Sequence, residues 1–138
     1  MGQAPRQAIS KSMPRAYVLD TNAVIYYVGG EERALEKLVP IIQSDNTIIL
    51  PSVVVAELWS GKRMPNEEIP LIEHFMASLL QTPLDTQIAK SAGVMRRAIP
   101  LDLGDACIAA TALAYGAVLL TRNVRDFKRV PGLSIEAI

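Results

Sequence analysis

Short apolar runs alternate with longer amphipathic segments along most of this 138-residue chain. The short runs resemble buried parallel strands, most of which are continuously apolar. They predict strands at 17–20, 47–50, 82–84, 118–120 and 133–135. Segments in which apolar residues recur every three or four positions predict helices. These lie at 21–28, 31–44, 53–59, 67–81, 86–97, 105–115 and 124–128. The alternation predicts an α/β fold with a mostly parallel sheet flanked by helices.

Two prolines modify this pattern. Pro51 follows an apolar run that would otherwise continue through Val55, and proline fits poorly inside a central strand. We therefore predict that the strand ends near Leu50, that Ser52 caps the next helix, and that Gly61 closes it. Pro40 lies within the predicted helix 31–44 and indicates a kink or an early end.

Composition limits the classes of protein that this chain can belong to. Its length fits one domain, and half of its residues are hydrophobic, which disfavours disorder as the overall state. Lys plus Arg equals Asp plus Glu, at 14 each, so bulk charge does not indicate nucleic-acid binding. The single cysteine, Cys107, excludes a disulfide within the chain and a cysteine-based zinc site, and it suits a reducing cytoplasm.

The longest apolar run and the N-terminal residues show whether the chain carries a membrane span or a secretory signal. The longest nearly apolar run, 106–120, is shorter than the roughly 20 residues that a membrane-spanning helix needs. The first 15 residues contain three basic side chains and no acid, without the apolar core of a secretory signal. We predict a disordered tail at 1–14 and one domain at 15–138, with a short organellar transit peptide as the alternative for the tail.

Polar side chains recur at the ends of the predicted strands and at the starts of helices. Asp20 follows the first strand, Glu57 lies in the second turn of a helix after a strand, and Asp105 opens an apolar helix. Asn123, with Asp126 nearby, follows another strand. Parallel α/β sheets bind ligands at the carboxyl ends of their strands. Asp20 therefore either lines such a site or only caps the helix that follows it.

Neither Glu57 nor Asp105 has a basic residue within three positions. A buried carboxylate without a partner is costly, and several such groups oppose one another's ionisation. A hard cation resolves both problems, since oxygen ligands suit Mg²⁺ or Mn²⁺. Such an ion can also activate water and stabilise charge on a phosphodiester. The pattern thus favours a metal-dependent hydrolytic site.

Four segments together resemble the successive motifs of the PIN domain, most closely those of VapC-type toxin ribonucleases. They are VLDTN at 18–22, VAEL at 55–58, DACIAATA at 105–112 and TRNVRDF at 121–127. The resemblance extends from about Arg15 to residue 138. It implies a three-layer fold with a parallel sheet of four or five strands. It also implies a cytoplasmic, Mg²⁺- or Mn²⁺-dependent endoribonuclease, the toxin of a type II toxin–antitoxin pair, which forms homodimers and is occluded by a cognate antitoxin.

The resemblance assigns roles to individual residues. Asp20, Glu57 and Asp105 match the three core acids, with Asp20 and Asp105 expected to hold the metal and Glu57 to orient water or act as a general base. Asn123 occupies a fourth position that is acidic in many members, which puts a second tightly held metal in doubt. Asp126 either substitutes through water as a ligand or only caps the short helix.

Several further residues have two possible roles. The Thr121 hydroxyl is expected to line the site, or else has no role there. Four basic residues beside the site are expected to contact RNA phosphates, and the alternative is ordinary solvated charge. They are Arg122, Arg125, Lys128 and Arg129. Trp59 is expected at an interface. The sole histidine, His74, is distant in sequence from Cys107, so a Cys–His or Ser–His centre is not expected.

Two alternatives to a toxin nuclease stay open on the sequence. One is a PIN nuclease that takes part in RNA maturation. The other is a PIN-like domain that binds RNA or a protein without catalysis, which the complete set of three acids disfavours.

Overall fold

The computed structural model describes residues 13–61 and 65–138. In this part of the chain, five strands form a single parallel sheet in the order β3-β2-β1-β4-β5. They are β1 (Ala16–Leu19), β2 (Thr47–Pro51), β3 (Leu80–Thr82), β4 (Val118–Thr121) and β5 (Ile135–Ala137). The predicted parallel α/β architecture is therefore confirmed, with the five strands that are the upper end of the expected range.

Helices flank this sheet. They are α1 (Thr21–Val28), α2 (Glu32–Gln43), α3 (Ser52–Ser60), α4 (Ile69–Ala77), α5 (Thr86–Ala98), α6 (Leu103–Ala114) and α7 (Val124–Phe127). A 3₁₀ helix, Asn66–Glu68, precedes α4. None of the helices in the described ranges is long and apolar enough to cross a membrane.

The strand order reverses between β1 and β4. The chain builds outward from β1 to β2 and β3, and then returns to place β4 on the other side of β1. Loops leaving two neighbouring strands on opposite sides of such a reversal open a crevice, where ligands bind in open α/β sheets. Asp20 directly follows β1, and Arg122 and Asn123 directly follow β4. The topology thus brings residues about 100 positions apart to one edge.

Helix α6 packs closely against the centre of the sheet. It contacts β1 and β4, and its buried Ala109 and Ala112 allow this close approach because their side chains are small. A second apolar cluster joins α6 to α5 and includes the buried Cys107. The close packing of α6 fixes the position of its first turn, which carries Asp105.

The junction between β2 and α3 differs from the prediction. The strand was predicted to end near Leu50, but Pro51 is the last residue of β2, and α3 begins at Ser52. A proline is tolerated here because the first residues of a helix need no N–H partner within it. The Ser52 hydroxyl does not cap α3; it accepts a hydrogen bond from the Leu84 N–H at 3.0 Å. The predicted serine cap is wrong.

Two other boundaries also differ. Helix α4 ends at Ala77, and Leu80 and Gln81, predicted as helical, belong to β3 beside β2. A strand of three residues is too short to give a pattern of its own, so Leu79 and Leu80 extended the helical pattern. Strand β5 lies two residues later than predicted. The helix with Pro40 continues to Gln43 rather than ending early.

Of the predicted N-terminal tail at 1–14, only the last two positions belong to the described residues. The sequence also predicts a loop at 64–66, of which Met64 lies outside the described residues.

Candidate active site

One cavity of about 580 Å³ opens at the carboxyl edge of the sheet, and we call it the acidic cavity. The three acids that the motifs indicated all line it. Its lining comprises Asp20, Thr21, Asn22, Ile25, Glu57, Leu58, Ser60, Gly61, Asp102, Asp105 and Asn123. The structure therefore brings Asp20, Glu57 and Asp105 together from β1, α3 and α6.

Asp20 both caps α1 and lines the acidic cavity, so its two expected roles coexist. Its Oδ1 accepts a hydrogen bond from the Ala23 N–H at 2.8 Å, and its Oδ2 accepts one from the Thr121 hydroxyl at 2.5 Å. Burial raises the pKa of Asp20, while these two hydrogen bonds act in the opposite direction and Glu57 adds repulsion. Each carboxylate oxygen is thus held in place by a neutral donor.

Thr121 lies behind Asp20 rather than on the cavity wall. It is fully buried, and its hydroxyl also accepts a hydrogen bond from the Asn123 N–H at 2.9 Å. The hydroxyl therefore orients Asp20 and the start of the loop after β4.

Glu57 is held by two residues that sequence reasoning did not assign to the site. The Thr21 hydroxyl donates to its Oε1. On the other side, Gly104 lies so close that a Cβ at this position would overlap the Glu57 carboxylate. The sequence signals are weak, because a threonine at the start of a helix usually serves as a cap and a glycine between two segments usually marks a boundary.

Asp105 has an unfavourable electrostatic environment in its charged form. Burial raises its pKa to about 6, and repulsion from Glu57, Asp102 and Asp20 contributes. It has no ion pair within residues 13–61 and 65–138. Asp102, which also lines the cavity, was missed by sequence reasoning, although its position one turn before Asp105 could have indicated it.

The donor chemistry of the acidic cavity fits a hard divalent cation. Its polar lining offers carboxylate, amide and hydroxyl oxygens, and the carboxylates repel one another. In the described ranges, no three Asp, Glu, His or Cys side chains are already arranged as a metal-ligand set. Mg²⁺ usually takes one or two carboxylates and keeps several waters. The oxygen donors of this lining therefore fit such an ion.

Asn123 and Asp126 form a pair at the start of α7. The Asn123 Nδ2 donates to the Asp126 Oδ2 at 3.0 Å, and the Arg129 Nη2 donates to the Asp126 Oδ1 at 2.7 Å. These two bonds lower the pKa of Asp126. Asn123 lines the acidic cavity, whereas Asp126 does not, and α7 has no side-chain cap. Asp126 thus anchors Asn123 from outside the cavity.

The four basic residues after β4 differ in their partners. Arg122 binds Glu31, and Arg129 binds Asp126. Arg125 and Lys128 make no ion pair within the described part of the chain. Two of the four expected phosphate-binding cations are therefore already paired within the protein.

Comparison with known proteins agrees with this arrangement. The family model described as the PIN domain matches residues 17–133. Ribonuclease VapC2 of Haemophilus influenzae is 32% identical over 128 residues, which are 87% of this chain and 96% of the relative. The tRNA(fMet)-specific endonuclease VapC of Salmonella typhimurium is 27% identical, with the same coverage.

A solved structure gives the same result for the fold. The crystal structure of DNA-bound VapBC from Salmonella typhimurium superimposes with a TM-score of 0.75 at 28% identity. The match covers 91% of this chain and 98% of that one. Because the family model covers most of the chain and a VapC ribonuclease exceeds 30% identity over nearly its whole length, this chain belongs to the PIN domain family, in its VapC branch.

Proposed function

We propose that this protein is an endoribonuclease, the toxin of a type II toxin–antitoxin pair, that hydrolyses RNA phosphodiester bonds with Mg²⁺ or Mn²⁺ bound in the acidic cavity. The observation that carries the proposal is the convergence of Asp20, Glu57 and Asp105 at the strand-order reversal, where no basic side chain of residues 13–61 and 65–138 forms an ion pair with them. PIN-domain nucleases generally depend on a metal ion.

The residues divide the work of hydrolysis among them. Asp20 and Asp105 would hold the ion, since Asp20 is fixed by Thr121 and Ala23, and Asp105 forms no ion pair with any residue that the structure describes. When bound, the ion lowers the pKa of water and offsets charge on the phosphate oxygens. Glu57, fixed by the Thr21 hydroxyl, orients the attacking water and accepts its proton. The water oxygen then bonds to phosphorus as the opposite ester P–O bond breaks, with no covalent enzyme intermediate.

The RNA strand is held by its phosphates. Arg125 and Lys128 lie on or beside α7, which follows the cavity residue Asn123. Because neither is paired within the described residues, both are available to phosphate oxygens. One relative is named for specificity to tRNA(fMet), so a transfer RNA is the first substrate to test.

The structural neighbours are toxin–antitoxin complexes, and we assign this chain a cognate antitoxin that covers the acidic cavity. We also assign it a homodimeric state and a cytoplasmic location. Trp59, at the end of α3, is 45% exposed and suits an interface. An exposed aromatic side chain of this size contributes well to protein contacts because it buries a large apolar area.

The test is cleavage of tRNA(fMet) by purified protein with Mg²⁺, with Mn²⁺ and with EDTA. Wild type should cut with either metal and stop in EDTA, and Asp20→Asn should be inactive. Asp45→Asn, an exposed acid outside the cavity, serves as the matched control and should cut normally. Cleavage that persists in EDTA and in Asp20→Asn would overturn the metal mechanism.

The toxin role needs a separate experiment. Expression should arrest growth, and co-expression of the neighbouring gene should relieve the arrest. If expression leaves growth unaffected while the purified enzyme cuts RNA, the maturation nuclease becomes the better assignment.

A further inference from the structure

Arg122 is bound by three parts of the chain at once. Its Nη1 and Nη2 donate to the two carboxylate oxygens of Glu31, with the Nη2–Oε1 distance at 2.8 Å. Its Nε donates to the main-chain oxygen of Ile138 at 3.1 Å. Its guanidinium carbon lies 4.2 Å from the centre of the Tyr26 ring, a cation–π distance. Every nitrogen of the guanidinium therefore has a partner within the protein.

These partners are themselves tied to the framework. Glu31 caps α2 by accepting a hydrogen bond from the Ala34 N–H at 2.8 Å, and Tyr26 belongs to α1. The Ile138 N–H donates to the Thr121 main-chain oxygen at 3.2 Å. Arg122 thus joins α1, the start of α2 and the residue after β5 to the end of β4.

This junction coincides with the support of Asp20. One of its carboxylate oxygens is held by α1, through the Ala23 N–H, and the other by β4, through the Thr121 hydroxyl. Both holders must keep their relative position for Asp20 to stay fixed. Arg122 directly follows Thr121 and contacts the ring of Tyr26 in α1, so it connects the same two elements.

We propose that Arg122 is a positioning residue for the acidic cavity, which fixes Asp20 by clamping α1 and Glu31 to the end of β4. We assign it to the framework rather than to RNA, because three of its five N–H groups are already engaged by Ile138 and Glu31, and the bidentate Glu31 carboxylate balances its charge. This inference rests on the proposed metal-dependent activity, but one of its tests below does not require activity.

The test compares two arginines that lie three positions apart in sequence. Arg122→Lys keeps the positive charge but loses the two-pronged contact with Glu31. Arg125→Gln removes a cation that has no ion pair in the described residues. For both variants, kcat, KM, RNA affinity in EDTA and its salt dependence are measured on the full-length chain, together with the rise in Tm caused by millimolar Mg²⁺.

Arg122→Lys should lower kcat by about tenfold and reduce the Mg²⁺-induced rise in Tm, as loss of support for a metal ligand does. Its RNA affinity and salt dependence should stay as in wild type. Arg125→Gln should instead weaken RNA binding and reduce the slope of log affinity against log salt by about 1, with the Mg²⁺ effect on Tm unchanged.

Glu31→Gln provides the second variant, because it weakens the same clamp without touching Arg122. It should reproduce the loss of kcat seen in Arg122→Lys, and the double variant should be little worse than either one, since both remove a single interaction. A merely structural role would lower Tm without changing the response to Mg²⁺.

Two results would overturn the inference. One is an Arg122→Lys enzyme with wild-type kcat and a wild-type response of Tm to Mg²⁺. The other is a loss of RNA affinity and salt slope in Arg122→Lys equal to that of Arg125→Gln, which would make Arg122 an RNA contact. If the wild-type protein cuts no RNA, the Mg²⁺-induced change in Tm still decides the positioning role.

Discussion

Glu31 and Asp105 are carboxylates at the starts of two helices, yet the folded protein shifts their pKa values in opposite directions. Arg122 holds the pKa of Glu31 at about 2, chiefly by hydrogen bonding, whereas burial and neighbouring acids raise the pKa of Asp105 to about 6. Glu31 caps α2, and Asp105 lies in the first turn of α6. A helix N-terminus favours negative charge at both positions, so the helix dipole cannot explain the difference.

The difference lies in the partners. Glu31 has an arginine inside the chain, and its charge is balanced once the protein folds. Asp105 has acids around it and no ion pair within the described part of the chain, so we propose that its charge is balanced by a bound cation. A carboxylate paired within the fold supports the framework, and an unpaired, partly buried one marks the place where an external cation is needed. We therefore propose that Glu31 is a structural acid and Asp105 a functional one, on electrostatic grounds that do not depend on the family.

The largest expected effect is on RNA cleavage by Asp105→Asn. The amide keeps the shape of the side chain but removes the charge that attracts the cation. We expect activity to fall at least about 100-fold, since loss of a metal ligand should cost at least as much as loss of a residue that orients a ligand. Cleavage assays with saturating Mg²⁺ measure it, and Asp85→Asn, an acid that caps α5 instead, is the control. Activity within a few-fold of wild type would place Asp105 outside the catalytic centre.

A smaller loss of activity is expected from Gly104→Ala. The added Cβ would overlap the Glu57 carboxylate and displace it from the Thr21 hydroxyl. Misplacing a group by about 1 Å can cost up to 100-fold, and we expect a loss of roughly tenfold in kcat. Gly93→Ala is the matched control, because a Cβ on this glycine of α5 meets nothing within 4 Å. Equal activity in the two variants would show that Glu57 moves aside without consequence.

Stability should respond to Asp105 in the opposite direction from activity. In metal-free protein at pH 7, Asp105→Asn removes repulsion in the acidic cavity, and we expect stabilisation of about 1 kcal/mol after allowing for solvent screening. That corresponds to a Tm rise of roughly 3–4 °C. Thermal unfolding in EDTA measures it, and adding Mg²⁺ should raise the Tm of wild type more than that of Asp105→Asn. A variant less stable than wild type would contradict the account of Asp105 as an unpaired charge.

The pH dependence of the free energy of unfolding gives a further check on Asp105. The folded pKa of Asp105, about 6, exceeds its usual value of 3.8, so the folded state binds its proton more tightly. Its contribution to the free energy of unfolding therefore falls as pH rises from about 4 to 6. Metal-free Asp105→Asn should lack this decline, and an identical pH profile for the two proteins would refute it.

The smallest effect concerns Glu31. Its folded pKa is lowered from 4.5 to about 2, so the stability that it contributes is present above pH 4.5 and is lost as pH falls toward 2. Glu31→Gln should lower Tm at pH 7, and the difference in Tm between this variant and wild type should become smaller in acid. The pair is partly exposed, so high salt should also reduce the difference. A difference from wild type that grows in acid would reverse the assigned sign.

The sequence by itself determined the class of fold and the candidate acids. Continuous apolar runs and the 3.6-residue period are local features, so the alternation of strands and helices can be found without knowing what packs against what. Asp85, an acid directly before the predicted helix 86–97, caps α5, and the acids at the end of β1 and the start of α6 were found by position alone. Local signals failed where they were short, as at the three residues of β3.

Only the tertiary structure decided which groups hold those acids. The bond from Thr121 to Asp20 joins residues 101 positions apart, and Arg122 and Glu31 are 91 apart. Gly104 meets Glu57 because α6 packs against α3 and the sheet. No local pattern encodes such contacts, since they depend on the strand order that places β4 beside β1. The sequence identifies the charged residues, but their distances after folding determine which of these charges form ion pairs within the described residues and which do not.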